Sequence, residues 1–163
     1  MDKLELIKSK IIDKVNLKTM LPLWKFKNDK IAFTNGCFDI IHRGHIEYLA
    51  KAASCGDKLI IGLNTDESVR RLKGETRPLQ DEYSRALVLA SLSFVDNVIL
   101  FNEDTPYELI KFIQPDILIK GSDYKPEDIV GYDIVKDKHG KVITIDFIDG
   151  YSTTNIIKKI INK

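Results

Sequence analysis

Cysteine is scarce in this chain: of 163 residues, only Cys37 and Cys55 carry a thiol. Two cysteines so spaced make neither a redox CxxC pair nor a zinc ribbon, and they exclude a disulfide scaffold. Free thiols in a reducing compartment are expected. Long hydrophobic runs are missing as well. The longest mostly apolar stretch, residues 86–95, is interrupted by Ser91 and Ser93 and falls far short of the roughly 20 residues that span a bilayer. The first residues alternate charged and apolar side chains, unlike a secretory leader. These absences predict a cytoplasmic protein with no membrane association. An excess of charge of either sign is also lacking. Lys and Arg total 25 against 24 Asp and Glu, a net charge of +1, so nothing draws the whole molecule to nucleic acid or an acidic surface. What is present, 44% hydrophobic and 30% charged residues, is the composition of one folded domain with a real core.

Hydrophobic periodicity divides the chain. Leu4, Ile7, Ile11 and Val15 recur at helical spacing and predict an amphipathic helix over residues 2–14. It opens a helical extension covering residues 1–26, followed by the main domain at 27–163. Short apolar runs at 30–35, 58–63, 97–101, 116–120 and 142–147 predict five strands. Helical patterns lie at 44–54, 67–72, 82–93, 105–113, with Pro106 in its first turn, and 152–161. Strands alternating with helices give an α/β fold: one doubly wound, mostly parallel five-stranded sheet of Rossmann-like type. Ligands of such sheets bind beyond the carboxyl ends of the strands. The residues there are strongly polar: Thr34, Asn35, Asp39, His42 and His45, then Asn64 and Asp66, then Lys120, Ser122, Asp123 and Tyr124, then Asp149, Ser152, Thr153 and Thr154.

One segment concentrates the chemistry. Gly36-Cys-Phe-Asp-Ile-Ile-His42-Arg-Gly-His45 joins a strand end to a helix start, where free backbone N–H groups and the helix dipole favour anions. Gly44 permits close approach to the backbone, and two imidazoles can each donate to phosphate oxygens. A transition-metal site from Cys37, His42 and His45 has no familiar zinc spacing and lacks a fourth ligand. A dinucleotide-dependent dehydrogenase would carry GxGxxG after the first strand, and this chain does not.

The segment resembles the HxGH motif of the cytidylyltransferase-like nucleotidyltransferases. The resemblance extends through Lys73-Gly-Glu-Thr-Arg77-Pro78, Arg85, Glu103-Asp-Thr-Pro106, Lys120-Gly-Ser-Asp-Tyr124 and Gly150-Tyr-Ser-Thr-Thr154. Together these look like the adenylyltransferases of ADP-heptose synthesis, in their stand-alone form without a fused sugar kinase. Cys37 stands where many superfamily members have Thr, and Phe147 where glycerol-phosphate cytidylyltransferases have Arg. Both differences suit the heptose branch. The alternatives within enzymes are glycerol 3-phosphate with CTP and FMN with ATP. Outside enzymes, the alternative is a nucleotide sensor.

The resemblance implies transfer of AMP from ATP to a sugar 1-phosphate, with Mg²⁺ accompanying ATP and no metal held by the protein. It implies a homodimer and a place in lipopolysaccharide or related glycan synthesis. By the same resemblance His42, His45, Lys73 and Arg85 are expected to be catalytic. Thr34, Asn35, Gly36, Cys37, Phe38, Gly44, Lys120, Gly121, Asp123, Gly150, Ser152, Thr153 and Thr154 are expected to bind nucleotide. Asp39, Asn64, Asp66, Arg77 and Tyr124 are expected to bind the acceptor.

Overall fold

A computed structural model describes residues 2–146, 148 and 150–161. Phe147 and Asp149, both singled out above, lie outside the described residues. The strands are β1 (Ile11–Ile12), β2 (Ile31–Gly36), β3 (Lys58–Asn64), β4 (Asn97–Phe101), β5 (Ile117–Gly121) and β6 (Lys141–Ile145). The helices are α1 (Lys3–Lys8), α2 (Lys14–Phe26), α3 (Arg43–Ala53), α4 (Asp66–Lys73), α5 (Glu82–Ala90), α6 (Tyr107–Ile113), α7 (Tyr132–Asp137) and α8 (Thr153–Ile161).

The strands form a single sheet in the order β1-β4-β3-β2-β5-β6, and every pairing is parallel. Parallel strands need crossovers, and helices supply them on both faces. Leu49 and Ala52 of α3 and Ala86 and Leu89 of α5 fill the first face. Leu17 of α2, Leu109 and Ile110 of α6 and Val135 of α7 fill the second. From β2 the chain winds outward to β3 and β4, then returns to place β5 on the other side of β2. The strand order therefore reverses between β2 and β5, where such sheets open a crevice at their carboxyl edge.

Two expectations are corrected. The sheet has six strands, because the single helix expected over 2–14 is broken into α1, the two-residue β1 and the start of α2. Ile11 and Ile12 pair with Val98 and Ile99 at the sheet edge, and the Val98 amide donates to the Lys10 carbonyl at 2.9 Å. Asp13 then caps α2 by accepting from the Asn16 amide, which restarts the helix. Leu17, Leu21 and Trp24 are buried. Each such side chain contributes on the order of 1.5–3 kcal/mol on burial, so residues 11–26 are woven into the core.

The second correction concerns residues 122–141, for which the sequence patterns predict neither helix nor strand. They contain a 3₁₀ turn at Pro126–Asp128 and helix α7. Gly131 permits this: its φ is +90°, and a Cβ there would lie 2.7 Å from the Ile110 side chain. Smaller shifts occur at α5, which ends at Ala90, and at α6, where Pro106 stands just before the first turn.

Candidate functional site

A cleft of about 560 Å³ opens over the carboxyl edge of the sheet. The end of β2 and the loop after it give it a floor of Asn35, Gly36, Cys37, Phe38 and Asp39, with His45 entering from α3. Thr153 and Thr154 come from the start of α8, Lys120 and Tyr124 from the end of β5, and Lys73 and Arg77 from the end of α4 and beyond. A side chamber of about 170 Å³ adjoins it, where Tyr48, Gly121 and Asp123 join Phe38, Lys120 and Tyr124.

The two histidines form one unit. Their rings stack with centroids 3.8 Å apart and planes 20° from parallel, and Phe38 meets His45 edge-on at 5.2 Å. The stack depends on Gly44, where a Cβ would stand 3.1 Å from the His42 ring. Burial, followed by the neighbouring His42, pushes the pKa of His45 down to about 4, with the Ile40 carbonyl offsetting part of the effect. Burial also lowers His42. Both rings are therefore neutral near pH 7. Both Nδ1 atoms and the Asn35 side-chain oxygen Oδ1 are buried without a hydrogen-bond partner among the described residues, a cost that a polar ligand can relieve.

The pair carries a signature in stability. His45 loses its proton near pH 4 when folded and near 6.5 when unfolded, so between these values the unfolded chain binds more protons. Stability should rise with pH across this window and reach its full value above about 6.5. Urea unfolding at a series of pH values should show that slope, and His45→Gln should make it shallower. An unchanged slope in the variant would show that His45 is not the group responsible.

Asp39 orders the approach to the cleft. Burial alone would raise its carboxyl, but the amides of Leu79 and Gln80 and the Arg77 guanidinium outweigh burial and hold it below its ordinary value. It accepts from Arg77 Nε at 2.6 Å and from the Leu79 amide at 2.8 Å. Asp39 lines the cleft and at the same time fastens residues 77–80 across the loop. Lys120 is largely enclosed, and burial pulls its ammonium down while Asp123 draws it up. Burial raises the Cys37 thiol despite the nearby Lys73 and Arg85, and its Sγ faces Asn64 Oδ1 at 4.0 Å. At the other wall Thr153 Oγ1 donates to the Ile40 carbonyl at 3.5 Å. That contact brings the tip of α8 against the histidine loop.

Several expected contacts are used otherwise. Arg85 is 1% exposed and does not line the cleft. Its Nε donates to Gln80 O, Nη1 to Cys37 O at 2.6 Å, and Nη2 to Asn64 O and to Asp66 Oδ1 at 2.7 Å. Asp66 is thereby its ion-pair partner. Thr34 is fully buried, its hydroxyl 2.7 Å from that of Tyr48. Asn64 reaches the cleft, but its amide donates to Ser68. Ser152 accepts from the Asn155 amide at 3.1 Å as a helix cap. Gly150, at φ +82°, turns the chain into α8. Sequence reasoning passed over Leu72, Asp104, Thr105, Asp128, Ile129 and Val130, which also line the cleft. The Asp104-Thr-Pro106 motif was a usable signal, whereas no pattern marked Asp128.

The site thus brings a histidine pair and a threonine-tipped helix together at the switch point of a doubly wound parallel sheet. The chain belongs to the Cytidylyltransferase-like family, whose model matches residues 33–159. It is 58% identical over 144 residues to the Bifunctional protein HldE of Campylobacter jejuni subsp. doylei, covering 88% of this chain and 30% of that protein. With the protein of the same name from Wolinella succinogenes it shares 51% over 151 residues, covering 93% and 31%. The chain thus spans about a third of the length of these curated relatives. Among solved structures it resembles the lipopolysaccharide core biosynthesis protein from Thermoplasma volcanium, with a TM-score of 0.59 and 28% identity over 76% of this chain and 99% of that one. A Francisella tularensis pantoate-beta-alanine ligase, 20% identical with a TM-score of 0.56 over 94% of this chain and 79% of that one, shares the fold. Among the described residues no helix is long and apolar enough to cross a membrane.

Proposed function

We propose that this chain transfers AMP from ATP to D-glycero-β-D-manno-heptose 1-phosphate, releasing pyrophosphate and forming ADP-heptose for glycan synthesis. The observation that carries this reading is the shared cleft: His45 and the Thr153–Thr154 helix tip face one hollow with Lys73 and Arg77. The HldE relatives and the heptose-type motifs favour this acceptor over the other phosphates used by the superfamily.

An oxygen of the sugar 1-phosphate attacks the α-phosphorus of ATP. The bond from that phosphorus to the bridging oxygen breaks, and its electrons leave with pyrophosphate. A phosphate monoester with a second pKa near 6 is already anionic at neutral pH, so the residues need supply no strong base. Position and charge stabilisation do the catalysis. The neutral imidazoles donate N–H hydrogen bonds to triphosphate oxygens, and the developing charge draws them toward their protonated form. Thr153 and Thr154 offer hydroxyls and helix N-terminal amides to the same phosphates. Lys73, followed by Gly74 at φ +95°, bridges nucleophile and α-phosphate, with Arg77 as a second cation.

Mg²⁺ suits this cleft as part of the substrate. Among the described residues no three His, Cys, Asp or Glu side chains converge to hold a metal, so phosphate oxygens and waters would form most of its shell. When bound, it neutralises phosphate charge.

The test is direct. Protein incubated with ATP, Mg²⁺ and the heptose 1-phosphate should yield pyrophosphate and ADP-heptose in equal amounts. Turnover confined to CTP with glycerol 3-phosphate, or to ATP with FMN, would replace this reading. Tight ATP binding without turnover on any acceptor would select a sensor.

A further inference from the structure

The cleft has two walls of opposite chemistry. The wall that carries His45, Thr153 and Thr154 is a set of hydrogen-bond donors suited to anions. α3, which carries His45, packs on the first core layer; on the side of the second layer Asp104 and Thr105 precede α6, and Asp128 ends the 3₁₀ turn. The next residue, Ile129, is buried in the second core layer together with Ile110 of α6. This packing ties the turn to α6 and brings two segments, distant in sequence, to one side of the hollow.

We infer that Asp104, Thr105 and Asp128 form the acceptor-reading wall, which takes hydrogen bonds from the hydroxyls of a neutral polyol while Lys73 and Arg77 hold its phosphate. The inference rests on the sugar-phosphate reading above and deepens it. A carboxylate with no cation beside it is a poor neighbour for a polyphosphate, and Asp128 has no ion-pair partner among the described residues, so this wall does not suit the nucleotide's tail. An ionised carboxylate only accepts hydrogen bonds, and its bonds are stronger than those between neutral groups. Hydroxyl-rich, uncharged surface is the matching ligand. Among the described residues none engages the Asp128 carboxylate, and Asp104 spends one oxygen on Arg71 Nε at 2.8 Å. Arg77 spends its Nε on Asp39, which leaves the terminal guanidinium nitrogens for an acceptor phosphate. The wall also defines what is refused: an acceptor with a second anionic group near its ring meets like charge.

The isosteric variants Asp128→Asn and Asp104→Asn test this. With a panel of mannose, glucose and heptose 1-phosphates and their monodeoxy analogues, each variant should raise the acceptor KM about 10–100-fold. The Kd for ATP, measured by calorimetry, should stay within twofold. On the monodeoxy acceptor lacking the contacted hydroxyl, wild type and variant should converge. Unchanged acceptor KM in both variants, with wild-type turnover intact, overturns this inference alone. An equal loss of ATP affinity overturns it too, by assigning the carboxylates to the nucleotide side. Wild type that turns over no sugar 1-phosphate overturns both this inference and the reading beneath it.

Discussion

Arg85→Met is expected to destabilise the protein by about 3–5 kcal/mol, the cost of breaking a buried ion pair by removing one partner. The expectation follows from where its guanidinium sits. It is essentially inaccessible and joins four places: the loop after β2 at Cys37, the end of β3 at Asn64, the start of α4 at Asp66, and Gln80 before α5. Without it, two strand-end carbonyls lose their donor and Asp66 keeps an uncompensated charge beside the core. Urea unfolding should show a much lower midpoint with little change in slope. Had Arg85 touched phosphate, as its place in the motif set suggested, the variant would keep its unfolding midpoint and lose only turnover. That outcome would sink the positional role.

The second large effect is chemical. His45→Ala is expected to lower kcat by about 10²–10³, the range for losing one preorganised transition-state donor, while the far-UV circular dichroism and the unfolding midpoint stay near wild type. The fold can spare the ring because its Nδ1 is buried without a partner, and its other contacts are the edge of Phe38, the stacked His42 and the Ile40 carbonyl, all within one loop. Turnover within a few-fold of wild type would remove His45 from the reaction.

The same two residues show what a sequence does and does not disclose. The histidine loop was legible because its chemistry is local: glycine, two imidazoles and a strand-to-helix junction fall within ten consecutive residues, 36–45. Five strands were legible as apolar runs: β2 to β5 because strands buried on both faces are apolar almost throughout, and β6, half-buried at the sheet edge, through Val142, Ile143 and Ile145. β1 was not, because two isoleucines are too short a run and Ile11 also fits the helical spacing of its neighbours. Arg85 was misread because burial of a charge depends on partners from three other segments, none of them near it in sequence. Asp128 stayed hidden for a related reason. A polar residue in a polar connection acquires its meaning only when Gly131 and Ile110 fold that connection back over the cleft.

The edge strand β1 has a consequence for biosynthesis. Its two residues are synthesised well before their partner β4, which lies beyond two further strands and four helices. A contact so remote must await most of the chain, which makes closure of this flank intrinsically slow. Until then the outer side of β4 offers open amides and carbonyls, the usual template for unwanted pairing between nascent molecules. Once paired, Ile11 and Ile12 cover the part of that edge at Val98 and Ile99.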